Sequence, residues 1–259
     1  MFQELFNRMN FITFIFLVIY AVAISAEWIY SQKRKLRIYD STDVRINLTL
    51  GILTSILRIL LTGVTIALWN YLYQNSVFKH ETTFIELIYI FFLNEFIYYW
   101  FHRFSHSNKF LWAVHVNHHS SNYFNYSTAT RNAVFNVFLY SIVWTILPIF
   151  GFEPQAILFI HSISIMLSFF QHTQFGLKLK YIDFVIINSS HHRVHHARNE
   201  RYIDKNFGNI LIIFDRIFGT FEKESEKPIF GIDKEINQSN VFEVIFHEWK
   251  DLIKKYRTH

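Results

Sequence analysis

Long apolar runs broken by short polar segments make up this chain. Met9 to Ala26 is a run of 18 residues without a charge, close to the roughly 20 that a helix needs to cross hydrocarbon. Ile46 to Phe78 is a hydrophobic run with Arg58 as its only charge, and Thr82 to Phe101 forms a third run. Each predicts a spanning helix, with Arg58 packed against the bundle. Asn132 to Phe152 and Pro154 to Leu177 are uncharged apart from His161 and His172, and Pro148, Gly151 and Pro154 fall between them. They predict a membrane hairpin turning at Pro148–Pro154, with arms long enough to span or to form a re-entrant pair.

Between these runs, residues 107–131 are polar and read as a loop or a surface helix pair outside the bilayer. Residues 178–259 read as a polar cap, with Ile210 to Phe218 at the membrane interface. Phe242, Ile245, Phe246, Trp249, Leu252, Ile253 and Tyr256 recur at helical spacing, which predicts a terminal amphipathic helix packed on the cap. The expected fold is all-α: an integral membrane helical bundle of about three spanning helices plus a helical hairpin, with a cytoplasmic helical cap. It reads as one domain over 1–259, with N-terminal membrane helices at 1–80, a core at 81–222 and a cap tail at 223–259.

Charge sets the orientation. Lys33, Arg34, Lys35 and Arg37 follow the first run, and basic residues collect on the cytoplasmic side. Counting spans from there returns residues 102–119 and 191–196 to that same face; Lys178, Lys180, Arg193, Arg198 and Arg201 agree. The net charge of +5 in a chain that is 19% aromatic suggests a membrane surface rather than nucleic acid. The first run is bulky at its end and lacks a small-x-small cleavage site, so it reads as a retained helix.

The absence of cysteine excludes disulfides, thiolate zinc sites, iron–sulfur clusters and cysteine-ligated haem. Histidine supplies the chemistry instead. Of 14 histidines, 11 lie between 102 and 196, and nine of those form three clusters: His102-x-x-x-His106, His115-x-x-His118-His119 and His191-His192-Arg193-Val194-His195-His196. On a helix, i, i+3 and i, i+4 partners share a face, so each cluster presents converging imidazoles. Nine exceed what one metal takes, which points to a dimetal site with positions left open. Imidazole suits iron and zinc alike, so ligand type leaves that choice open. His161 reads as a satisfied core residue, and His80, His247 and His259 as solvated. Glu95 lies on the face of Tyr99, His102 and His106, which predicts a supporting role through an imidazole N–H or a tyrosine hydroxyl. A metal transporter is the rival reading; it would carry ligands along the spanning helices near the midplane.

These residues resemble the fatty acid hydroxylase superfamily, which includes the sterol desaturases. The resemblance covers roughly 80 to 222. Besides the clusters it rests on Glu95-Phe96-x-Tyr98-Tyr99-Trp100-x-His102-Arg103, His118-His119-Ser120-Ser121, Gln171-His172, Lys205 to Asn209, and Asp215-Arg216-x-Phe218-Gly219-Thr220-Phe221. Tyr126 to Arg131, His191 to Asn199, Ile203 to Asn206 and Pro228 to Gly231 are most similar to its ether-lipid monooxygenase branch. Ser107 departs from that branch, and Asn132-Ala133 from the sterol branch. The resemblance implies a membrane-bound, O2-dependent enzyme that hydroxylates a lipid C–H bond with two iron ions. It implies metal ligands at His102, His106, His115, His118, His119, His172, His192, His195 and His196, with catalytic support from Glu95 and His191. No flavin or nicotinamide fingerprint is present, so electrons would come from a donor protein or a reduced pterin such as tetrahydrobiopterin. The lipid would be an ether lipid, a sterol or a fatty acyl chain.

Overall fold

The computed structural model describes residues 2–176 and 181–257. Lys178, Lys180 and His259 of the readings above lie outside the described residues. Among the described residues the fold is helical, with two isolated bridges, Ile186 to Leu211 and Ala197 to Phe230.

Four helical stretches are long and apolar enough to cross a membrane. They are Thr13–Lys33 within α1 (Phe2–Lys33), α2 (Ser41–Asn75), α3 (Phe84–Ser107), and Pro154–Gln171, which joins α7 (Pro154–Ser168) to a short 3-10 turn. Their starts are locally encoded. Asp40 caps α2 by accepting from the N–H groups of Thr42 and Asp43, Thr83 caps α3 by accepting from Glu86, and Pro154 stands in the first turn of α7. Each cap satisfies backbone donors that a helix start leaves free.

The hairpin expected over 132–177 has unequal arms. Its first arm is α5 (Asn136–Val143) followed by α6 (Ile146–Ile149), too short together to be a candidate span. The break at Trp144 lets the indole bury fully against Phe101 and Tyr140 and donate to Asn94 Oδ1 at 2.8 Å. The turn at Gly151 requires glycine: φ is +87°, and a Cβ there would lie 2.2 Å from the Phe78 carbonyl oxygen. Trp144 joins Trp69, Ile90, Phe101, Leu147, Ala156 and Ile157 in one core between the helices.

From Ala113 to Arg131 the polar segment 107–131 is mostly buried, contrary to the surface expectation, while Ser107 to Phe110 stay exposed. It forms α4 (Lys109–His119) and a 3-10 turn, Tyr126–Thr130, and Ser120, Asn125, Ser127 and Arg131 are fully buried. Its polar groups bond one another and α2: Asn47 donates to Ser127, and Asp43 accepts from Ser121 and faces Arg131. The stretch Ile210–Phe218 packs partly against α3, with Ile217 left exposed. It contains α9 (Ile213–Ile217), and Phe214 and Phe218 stack around Phe96 and Tyr99 of α3.

The terminal helix α10 (Val241–Arg257) forms as expected, but it packs chiefly on α2 and α4 rather than on the cap. Val244 and Ile245 bury against Ile46, Leu50 and Val134, and Trp249 meets Phe110 and Phe135. His247, expected in solvent, is buried on the same face, its Nδ1 beside the carbonyls of Glu243 and Val244.

Candidate metal centre

Asn108 brings the first two clusters face to face. It ends α3, its N–H donating to the Phe104 carbonyl, and begins α4, its side chain accepting from Phe110 and Leu111. The helix axis breaks there, so His102 and His106 on α3 meet His115 and His119 on α4. The third cluster lies on α8 (Ser189–His196), whose start is secured by a capping box between Asn188 and His191. His172 closes the 3-10 turn after α7.

Nine imidazoles converge in two groups. His102, His106, His115, His119 and His195 form one; His118, His172, His192 and His196 form the other. Within each group one ring nitrogen from each histidine lies within 4.8 Å of the others. Helices α4 and α8 each feed both: His115 and His119 against His118, and His195 against His192 and His196. The groups abut, with ring centroids 4.5 Å apart for His119 and His196 and 5.3 Å for His195 and His196.

Main-chain carbonyls fix the tautomers. A carbonyl only accepts, so each ring nitrogen facing one must carry the proton. His102 Nδ1 donates to Phe207 at 2.8 Å, His118 Nδ1 to Arg131 at 3.0 Å, His172 Nδ1 to Ser168 at 3.2 Å and His195 Nδ1 to Lys205 at 3.0 Å. Their Nε2 atoms therefore present lone pairs to the interior. Those of His118 and His172 face each other at 3.5 Å, and those of His106 and His195 are buried without a hydrogen-bond partner. Further Nε2 atoms crowd at 2.9 Å (His172, His192), 3.0 Å (His115, His119) and 3.1 Å (His102, His115 and His192, His196). Lone pairs aimed together in a dry interior repel unless a cation lies among them, so these residues fit a pair of metal ions.

Electrostatics point the same way. Burial, reinforced by neighbouring imidazoles, holds His115, His119, His172, His192, His195 and His196 well below the ordinary histidine value. Burial pushes His118 down to about 4. Neutral imidazole is the form that binds metal.

The loop after α8 orients the ligands. Lys205 and Phe207 supply two of the carbonyls, and Asp215 holds this stretch by accepting from the N–H groups of Phe207 at 2.7 Å and Gly208 at 2.8 Å. Asp204 and Asn206 both sit at φ +57°, a region that Asp and Asn tolerate better than most residues. That geometry sets the Asp204 carboxylate 3.4 Å from His106 Nδ1, and hydrogen bonding to His106 lowers the Asp204 pKa. Asn206 donates to the carbonyls of His191 and Glu222 and accepts from the Glu222 N–H.

Two residues singled out from sequence stand apart from the two groups. Glu95 accepts from the N–H groups of Ile210 at 2.7 Å and Leu211 at 3.2 Å and from the side chains of Asn94 and Asn209. Among the described residues its partners are the 210–211 amides and the side chains of Asn94 and Asn209, not the imidazole or tyrosine hydroxyl expected, because the 209–211 loop reaches it first. His191 takes the third position of the α8 capping box, and its ring meets Phe221. Sequence reasoning missed Arg131. Its guanidinium, fully buried, donates to the Asn117 carbonyl, Ser120, Asn47 and Gln238 and lies 3.4 Å from Asp43. A single arginine in a polar stretch carries no local signal of that burial.

Comparison with known proteins gives consistent likenesses. A family model for fatty acid hydroxylase matches residues 87–220. Alkylglycerol monooxygenase of Homo sapiens is 33% identical over 237 residues, 90% of this chain and 52% of that protein. The alkylglycerol monooxygenase of Danio rerio is 42% identical over 150 residues, 58% of this chain and 33% of that protein. The ornithine lipid hydroxylase of Rhizobium tropici is 25% identical over 128 residues, 49% of this chain and 39% of that protein. The chain thus spans about half the length, or less, of these curated relatives. No solved structure matches it.

Proposed function

The chain belongs to the fatty acid hydroxylase family, and from that premise we propose that it is a membrane-bound, O2-dependent monooxygenase of the ether carbon of alkylglycerol lipids. The observation that carries this reading is the convergence of nine buried or half-buried imidazoles, with carbonyl-fixed tautomers, into two abutting groups. The likeness to alkylglycerol monooxygenases supports the substrate class.

The two groups would each hold an iron ion. Iron held there would supply O2 activation and the oxidising power for a C–H bond. The chain's own part is to hold geometry and exclude water. Carbonyls of Phe207, Arg131, Ser168 and Lys205 keep the Nδ1 protons in place, so the Nε2 atoms stay bare. Asp204 does the same for His106. Glu95 and Asp215 pin the loop that bears two of those carbonyls. Burial of the rings keeps them neutral and the centre dry. The balance is one O2 and two electrons with two protons per C–H bond. One oxygen enters the lipid as a hydroxyl and the other leaves as water. The hydroxylated ether carbon is a hemiacetal, which separates into a fatty aldehyde and a glycerol. A reduced pterin is the proposed electron source.

The clusters are proposed to lie at the cytoplasmic face. Lys33 ends α1, and Glu27 on that helix binds the Tyr126 N–H and the Thr173 hydroxyl, beside His172. The basic end of α1 and the imidazoles therefore belong to one end of the bundle, as the positive-inside rule suits. The whole chain is proposed to act as one domain, since Gln238 of the tail bonds Arg131 and Ser120 in the core. The likeness to an ornithine lipid hydroxylase favours, as second reading, hydroxylation of a different membrane lipid.

The test is incubation of iron-loaded protein with an alkylglycerol, tetrahydrobiopterin and O2, beside a sterol, a fatty acyl lipid and an ornithine lipid. Aldehyde release from the alkylglycerol alone supports the first reading. Product from another lipid alone replaces the substrate. No oxidation of any lipid by protein holding two irons, with a donor protein as well as the pterin, would remove the monooxygenase assignment.

A further inference from the structure

Away from the imidazoles, a cavity of ≈ 230 Å³ lies between α1, α2, α5 and α7. Its walls combine apolar surface with Arg58, Thr62, Thr65, Ser141, His161 and Ser162. Arg58 falls near the middle of α2 and is the single charge in the apolar run Ile46 to Phe78. Its guanidinium has no carboxylate within ion-pair distance and no hydrogen bond among the described residues, and it is exposed on the protein rather than enclosed. Tyr20, Tyr140 and His161 are the ionisable groups nearest it, and none is an anion at neutral pH.

An unpaired guanidinium in a membrane-spanning helix is costly, and such residues pair or mark a ligand path. Among the described residues no carboxylate supplies a counter-charge. Three of the hydroxyls already have partners: Thr65 and Ser141 bond each other, and Thr62 donates to the Arg58 carbonyl. His161 donates from Nδ1 to Asn94 Oδ1 at 3.0 Å, and Asn94 in turn bonds Glu95. Much of the polar wall is therefore already hydrogen-bonded, and the guanidinium is the charged group left to be answered. Its planar fork matches carboxylate or phosphate oxygens. Leu61, Ile66, Leu158 and Ile165 on the same walls match a hydrocarbon chain.

We propose that this cavity binds the anionic head of a single-chain amphiphile, with Arg58 as its counter-ion. The head is a carboxylate or a phosphate, and the chain lies along the apolar wall. This site is separate from the metal centre, and the proposal does not depend on the oxidation chemistry above.

The experiment is equilibrium binding to full-length protein in nanodiscs of uncharged lipid, using radiolabelled oleate and, separately, lysophosphatidate. Arg58→Gln removes the charge, and Ser162→Leu fills the cavity without touching the charge. Metal content and the thermal transition serve as controls for folding. Saturable binding that weakens at least tenfold in Arg58→Gln and in Ser162→Leu supports the site, and the preferred probe identifies the head as carboxylate or phosphate. Absence of saturable binding to the unsubstituted protein overturns it. So does unchanged affinity in either folded variant, and if Arg58→Gln fails to fold, Ser162→Leu decides.

Discussion

The carboxylate of Asp215 holds the N–H of Phe207 at 2.7 Å. The carbonyl of that same Phe207 receives the Nδ1–H of His102 at 2.8 Å. A charge on the far side of a loop thereby fixes the ring of a ligand it never touches. Asp215→Asn leaves one acceptor oxygen for amides that now use two. Loss of such outer support typically costs about 10–100-fold in metal affinity. Chelator competition on the folded variant should read a loss in that range, and unchanged affinity would remove Asp215 from the positioning role.

The two imidazole groups predict separable losses. His102→Ala strikes the five-membered group and His196→Ala the four-membered one. Each variant should lose at least the metal of its own group, and lipid oxidation should vanish in both. Elemental analysis beside a turnover assay checks this. Full metal content with full turnover in either variant would dissolve the assignment.

Acid should weaken the metal-free protein. In the fold, burial holds His118 at about 4 against an ordinary 6.5, and six other ligands also fall well below 6.5. The unfolded chain then binds more protons than the folded one between those values. Stability is complete above about pH 6.5 and is lost as pH falls toward about 4. Thermal unfolding of chelated protein in detergent across this range should show a falling midpoint. Metal affinity should fall in the same direction, because protons and metal compete for the same lone pairs.

Arg131 should be among the most sensitive positions outside the ligands. Its fully buried guanidinium faces Asp43 at 3.4 Å and satisfies Asn47, Ser120 and the Asn117 carbonyl. Arg131→Met strands the Asp43 carboxylate and should destabilise by about 3–5 kcal/mol. Adding Asp43→Asn should restore part of that. Denaturant unfolding of the single and double variants measures both, and a single-variant loss below about 1 kcal/mol would contradict the buried-pair argument.

What the sequence determined by itself was local. Apolar runs marked the spanning helices, and the i, i+3 and i, i+4 spacing of histidines marked which faces carry ligands, because both follow from helix geometry alone. The tertiary structure decided everything that depends on which faces meet. The sharp turn at Asn108 sets α3 against α4. Opposing packing divides nine imidazoles into five and four, splitting His118 from His119 although they are adjacent in the chain. Glu95 shares a helical face with His102, yet it serves the amides of residues 210 and 211, 115 and 116 positions away. Likewise nothing near Trp144 foretold that its arm of the hairpin would break, nor anything near His247 that it would be buried. Periodicity reports that a face is buried or polar; the partner on that face is chosen by packing between segments far apart in sequence, where no local spacing carries the information.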